Sequence, residues 1–110
     1  MTELANKACV PCREGSPPVS AETIRAYLQE LHPDWEAFGQ DKLERVFHFD
    51  DFQQAMAFAN RIAELAEQDR HHPVLTVSWG KLKVVLRTMK IRALHDNDFI
   101  LAAKIDKLAK

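Results

Sequence analysis

The segment Glu67-Gln68-Asp69-Arg70-His71-His72-Pro73 holds the densest proton-transfer chemistry in the chain. Imidazole has an unperturbed pKa of about 6.5, so adjacent histidines at the rim of a fold can give and take protons near neutrality. Glu67, four residues before His71, is placed to orient or charge one of the rings. The same cluster also suits a plainer role, with His71 and His72 complementing the negative end of a helix dipole at a partly solvated junction. Elsewhere there is no Gly-rich phosphate loop and no His-Glu-x-x-His, and Ser16, Ser20 and Ser78 lack the setting of a nucleophile elbow. His48 and His95 stand singly and fit surface or hydrogen-bonded roles. Trp79, at a turn, could wall a pocket or cover an edge.

Those residues must be positioned by local elements that hydrophobic spacing makes legible. Ser20 as N-cap, then Ile24, Tyr27, Leu28 and Leu31, predict an amphipathic helix over roughly 20 to 32, stopped by His32-Pro33. A short strand over 35–38, a turn at Gly39-Gln40-Asp41 and a strand over 43–49 follow, with Phe47 and Phe49 on the inner face. Asp50 with Gln53 reads as a capping box, and Phe52, Ala55, Met56, Ala59, Ile62, Ala63 and Ala66 carry a helical stripe to about Asp69. Trp35, Phe47, Phe49, Phe52 and Phe58 are expected in the core. Pro73 ends that helix, and residues 74–79 and 82–88 alternate as a hairpin around Gly80, with Leu82, Val84 and Leu86 on one face. A last helix starts with Asp96 or a neighbour as cap. Hairpins joined by helices predict an α+β domain, a four-stranded antiparallel sheet with three helices packed on one face. Residues 1–19 read as an irregular leader and 20–110 as one domain.

Fifteen Lys and Arg against sixteen Asp and Glu give a net charge of -1, which leaves no cationic excess to hold a nucleic-acid backbone or an anionic membrane. With neither a long apolar run nor a signal-peptide pattern at Met1-Thr2-Glu3, a soluble cytoplasmic protein is expected. Cys9 and Cys12 form the one Cys-x-x-Cys. Without a second such pair they are expected to be reduced thiols rather than a zinc site or a disulfide.

Glu67-x3-His71-His72-Pro73-x5-Trp79, followed by Asp98 near the start of the last helix, resembles the signature of pterin-4a-carbinolamine dehydratases. The order of elements and the leader Lys7-x-Cys9-Val10-Pro11-Cys12 with Pro17-Pro18 are similar to bacterial members. The resemblance implies a lyase that needs no metal or redox cofactor and eliminates water from 4a-hydroxytetrahydropterin, the product of an aromatic amino acid hydroxylase. It implies His71 and His72 as catalytic residues, and His71, His72, Pro73, Thr88, Met89, Lys90 and Ile91 as pterin-binding ones. Glu67, Trp79 and Asp98 would support them, Glu67 by orienting a histidine and Asp98 by bracing the loop before the last helix. A homodimer or homotetramer is implied, with no nucleic acid and no membrane as partner.

Met89 departs from the family pattern, which has a further histidine or a tryptophan at that position. A thioether cannot exchange protons near neutrality, so the departure implies a weakened enzyme. His95 could replace that group only if its loop folded back over the pocket. The family resemblance also carries an alternative, a non-catalytic dimerisation or coactivator-like module, for which an open outer strand such as 82–88 or 43–49 would serve.

Overall fold

The computed structural model describes residues 4–6 and 17–109. Cys9, Cys12 and most of the leader lie outside the described residues. Leu4–Asn6 forms a 3-10 turn whose Leu4 is buried in the core against the last helix. Helix α1, Ala21–Glu30, starts where the Ser20 hydroxyl accepts the Thr23 N–H at 3.2 Å, and it buries Ile24. Strands β1, Glu36–Phe38, and β2, Lys42–His48, form the first hairpin. Helix α2 runs Phe52–Asp69, strands β3 and β4 run Val74–Ser78 and Lys81–Leu86, and helix α3 runs Asp96–Leu108.

The cap of α2 is Asp51, one residue later than the pattern predicts. Asp51 Oδ1 accepts from Gln54 N at 2.8 Å, while Gln54 Oε1 accepts from Asp50 N at 3.3 Å, so the reciprocal pairing is shifted by one position. The buried face is Ala55, Phe58, Ala59, Ile62 and Ala66. Phe52, Met56 and Ala63, expected in that stripe, are exposed. At 3.6 residues per turn they lie roughly 60–100° round the helix from its centre, on a shoulder that rolls out of the core. Phe58 instead meets Phe47 at 4.9 Å and Phe49 at 5.7 Å between ring centroids.

The sheet is antiparallel in the order β1-β2-β4-β3, with the expected fold class. The strands proposed as open outer edges, 43–49 and 82–88, are instead the central pair β2 and β4, and β1 and β3 are the edges. Burial explains the order. Leu43, Leu82, Val84 and Leu86 are fully enclosed and Phe47 nearly so, whereas β3 alternates exposed with half-buried positions. Each such enclosed side chain contributes roughly 1.5–3 kcal/mol, so the most apolar strands gain most from neighbours on both sides. Among the described residues no helix is long and apolar enough to cross a membrane.

One charge also sits on the inner face. Arg45 is 9% exposed and donates to Asp106 of α3 at 2.5 Å, with its guanidinium 4.1 Å from the Phe47 ring centroid. Asp106 accepts in addition from Trp35 Nε1 at 2.7 Å and from the His32 N–H at 2.9 Å. It thereby ties α3 to β2 and to the segment entering β1.

Candidate active site

Helix α2 stops at Arg70, whose left-handed backbone (φ 54°) turns the chain out of the helix and lets its N–H bond back to Ala66 O. His71, His72 and Pro73 follow as an extended segment that feeds β3. Val74 pairs with Val85, so the same antiparallel register carried back sets His71 level with Thr88. After β4, Thr88 and Ala93 bridge and close a turn over residues 89–92. The hairpin thus returns the chain beside the histidines.

His71 is mostly buried, and its Nε2 lies 2.5 Å from Asp98 Oδ1. Asp98 is fully buried, in the first turn of α3. Its Oδ2 accepts from Thr88 Oγ1 at 2.8 Å and from the His95 N–H at 2.9 Å. Three donors converging on one carboxylate leave it no freedom to turn, and a buried carboxylate is tolerated only when bonded in this way. The contact occupies Nε2, so Nδ1 is the ring nitrogen left for other chemistry. His72 is exposed, and its Nε2 is hydrogen-bonded to Glu67, one turn back on α2. Both rings are therefore held through Nε2 by a carboxylate.

The remaining expected site residues fall into two groups. Thr88 is buried against Asp98, Pro73 and Ile91 are half-buried, and Met89 and Lys90 are exposed on the turn beside the histidines. Trp79 is not brought to them. It occupies the opposite end of the β3–β4 hairpin, roughly 20 Å along the strand from Pro73 at ~3.3 Å per residue, and is 73% exposed. His95 is the N-cap of α3, its Nδ1 accepting from Asn97 N at 3.2 Å, so its ring is committed to the helix start. A depression of about 300 Å³ lined by Asp34, Glu36, Glu44, Arg45, Val46 and His48 contains none of these residues. Among the described residues no group of three or more His, Cys, Asp or Glu is placed to hold a metal ion.

Two contacts escape the sequence reading. Asp98 bonds the His95 N–H in the loop before α3, and it also contacts His71, 27 positions away. Lys104 Nζ bonds Asp69 Oδ2 at 2.7 Å, so α3 holds the end of α2 at a second point. The His95-x-x-Asp98 pattern signals only the cap, and neither long-range contact has a signal at short range.

Comparison with known proteins identifies the family. A family model described as pterin 4 alpha carbinolamine dehydratase matches residues 17–108. Relatives that carry the family's name include proteins from Alkaliphilus metalliredigens, 45% identical over 97% of this chain and 96% of theirs, and Chlorobium limicola, 49% identical over 94% of each. A Brucella melitensis structure described as a transcriptional coactivator/pterin dehydratase superposes with a TM-score of 0.78 at 25% identity, covering 86% of this chain and 100% of that one. A pterin dehydratase-like protein identified as a RuBisCO assembly factor in the alpha-carboxysome gives a TM-score of 0.60 at 26% identity, over 71% of this chain and 92% of its own. With a family match spanning nearly all the described residues and relatives similar over nearly the whole chain, this protein belongs to the pterin-4-alpha-carbinolamine dehydratase family.

Proposed function

We propose that this protein is a lyase that eliminates water from 4a-hydroxytetrahydropterin to give quinonoid dihydropterin, returning a spent hydroxylase cofactor toward its reduced form. The observation that carries the reading is the His71–Asp98–Thr88 chain, which holds one imidazole in a single orientation at the end of the hairpin. In the reaction the C4a–O bond breaks as an acid protonates the leaving hydroxyl. The N5–H proton passes to a base, the C4a=N5 double bond forms, and water departs. His71 is the chief acid-base group and acts through Nδ1, while His72, steadied by Glu67, binds the pterin and assists the second proton transfer. Pro73, Met89, Lys90 and Ile91 border the ring from the strand start and the turn. No metal or redox cofactor takes part in this scheme.

Met89 leaves this site one proton-exchanging group short of the family pattern. Spontaneous loss of water from a carbinolamine is already easy, so two positioned imidazoles give useful acceleration. The test is the decay of freshly generated 4a-hydroxytetrahydropterin at neutral pH with wild type, with His71→Ala and with no protein. Wild type accelerates decay, and His71→Ala loses about 100-fold of that acceleration, as removal of a general acid-base group does. Wild-type decay at the background rate, or undiminished turnover in His71→Ala, rejects the reading.

A second reading, an interaction module that assembles through its sheet edge, is favoured by one observation: on edge strand β3 and its turn, Val74 is 63% and Trp79 73% exposed. The same edge suits a homodimer or homotetramer of the enzyme. Sedimentation of wild type and Val74→Lys tests the edge, since an assembly built on it dissociates in the variant, and the decay assay above tells an oligomeric enzyme from a non-catalytic module.

A further inference from the structure

Two non-glycine residues among those described have a positive φ, and both are arginines on segments that flank the Thr88 end of the hairpin: Arg70 (φ 54°), immediately before His71, and Arg92 (φ 51°), at the end of the turn that follows Thr88. This left-handed conformation costs an L side chain energy and costs glycine almost nothing. At both positions the left-handed residue ends an element, Arg70 capping α2 and Arg92 closing the turn after Thr88, and in both an arginine stands where glycine would be the easier choice. Charge supplies an independent observation. The carboxylates around the site already have partners: Glu67 is bonded to His72, Asp69 to Lys104, Asp96 to the Tyr27 hydroxyl and Asp98 to His71. Arg87, also nearby, is spent on Asp41 at 3.0 Å and on the Arg92 carbonyl at 3.0 Å. The side chains of Arg70, Lys90 and Arg92 are exposed, and none is hydrogen-bonded or ion-paired to a described residue.

We infer that Arg70, Lys90 and Arg92 form a cationic rim for an anionic side chain on the substrate, so that the preferred pterins carry a terminal phosphate or carboxylate on their C6 substituent. The inference rests on the pterin reading above and narrows its substrate class. With the reacting C4a–N5 edge of the bicyclic ring against the histidines, the substituent on C6, the carbon bonded to N5, leaves the ring beside them, where exposed guanidinium groups on the flanking segments can bind an anion bidentately. The attraction is between solvent-facing charges, so added salt weakens it.

The test measures binding of three reduced pterins by fluorescence titration. One has a neutral trihydroxypropyl chain at C6, one has the same chain as its terminal phosphate ester, and one has a chain ending in a carboxylate. The proteins are wild type, the double variant Arg70→Gly/Arg92→Gly and the double variant Arg70→Lys/Arg92→Lys. Glycine suits both left-handed positions, so the first variant keeps its fold, which its melting temperature verifies. Wild type is expected to prefer an anionic pterin about tenfold in Kd at low salt. The ratio falls to near one in the glycine variant, returns in part in the lysine variant, and shrinks as salt is raised. The larger of the two ratios distinguishes phosphate from carboxylate. Equal affinity of wild type for all three pterins, or a preference that survives in the glycine variant, overturns the cationic rim while the pterin reading stands. Binding of none of the three overturns both.

Discussion

Asp98 does two jobs with two oxygens. Oδ1 faces His71, while Oδ2 takes the Thr88 hydroxyl and the His95 N–H that starts α3. Asp98→Asn puts an amide NH2 where one of these donors must find an acceptor, so either the cap or the His71 orientation is lost. The expected outcome is a fall in kcat of about 100-fold, with KM little changed because the substrate-facing residues remain. A fall confined to thermal stability, with kcat intact, would show that Asp98 serves only the cap. Met89, 69% exposed on the turn that abuts the histidines, is the complementary case. Met89→His restores a proton-exchanging group there and is expected to raise the dehydration rate several-fold, within the range one general acid-base group supplies. Unchanged turnover would mean that position 89 lies beyond reach of the pterin.

At the scale of elements, the site depends on how α3 is docked, because α3 delivers Asp98 to His71 and Lys104 to Asp69. Its first turn is further fixed to α1, where the Tyr27 ring lies 5.0 Å from Phe99 and the Tyr27 hydroxyl donates to Asp96 at 3.0 Å. Burial first, then the hydrogen bond to Asp96, pushes the Tyr27 phenol up from 10.0 to about 12. A folded-state pKa above the unfolded one means that folding favours the protonated phenol. The contribution is therefore full below the unfolded value near 10 and is lost as pH rises through about 12. Urea midpoints of wild type and Tyr27→Phe should differ most below pH 10 and converge between 10 and 12; a constant offset across that window would show that the hydroxyl does not couple the two helices. The element boundaries carry a related lesson. Asp50 and Asp51 are equally good caps by type, and Asp51 is the one whose side chain accepts the Gln54 N–H and starts α2.

For the molecule as a whole, the Arg45–Asp106 pair is the point at which helix layer and sheet are joined by charge rather than by apolar contact. Asp106→Ala strands a buried guanidinium and leaves Trp35 Nε1 and the His32 N–H without their acceptor. Removing one partner of a buried pair costs roughly 3–5 kcal/mol. Denaturant unfolding should show a loss of that size, and the double replacement Arg45→Met/Asp106→Leu should recover much of it. A loss below about 1 kcal/mol would place the pair among surface contacts of little worth.

The sequence by itself determined the elements and the class of fold, because both follow from short-range chemistry. The stripe around Phe58 and Ile62, the alternation of Leu82, Val84 and Leu86, and the breaks at Pro33, Pro73 and Gly80 are each legible within a few residues. It also brought Glu67, His71 and His72 together as candidate proton-transfer residues, since they are neighbours in the chain. Tertiary structure alone decided which strands are central, that Asp98 rather than Glu67 contacts His71, and that Arg45 finds Asp106. Those outcomes depend on partners separated by tens of residues, such as the 27 between His71 and Asp98 and the 61 between Arg45 and Asp106. Local propensity carries no term for such pairs. They are set by which layers must close over which apolar face, and by the requirement that every charge enclosed in the closure find its counterpart.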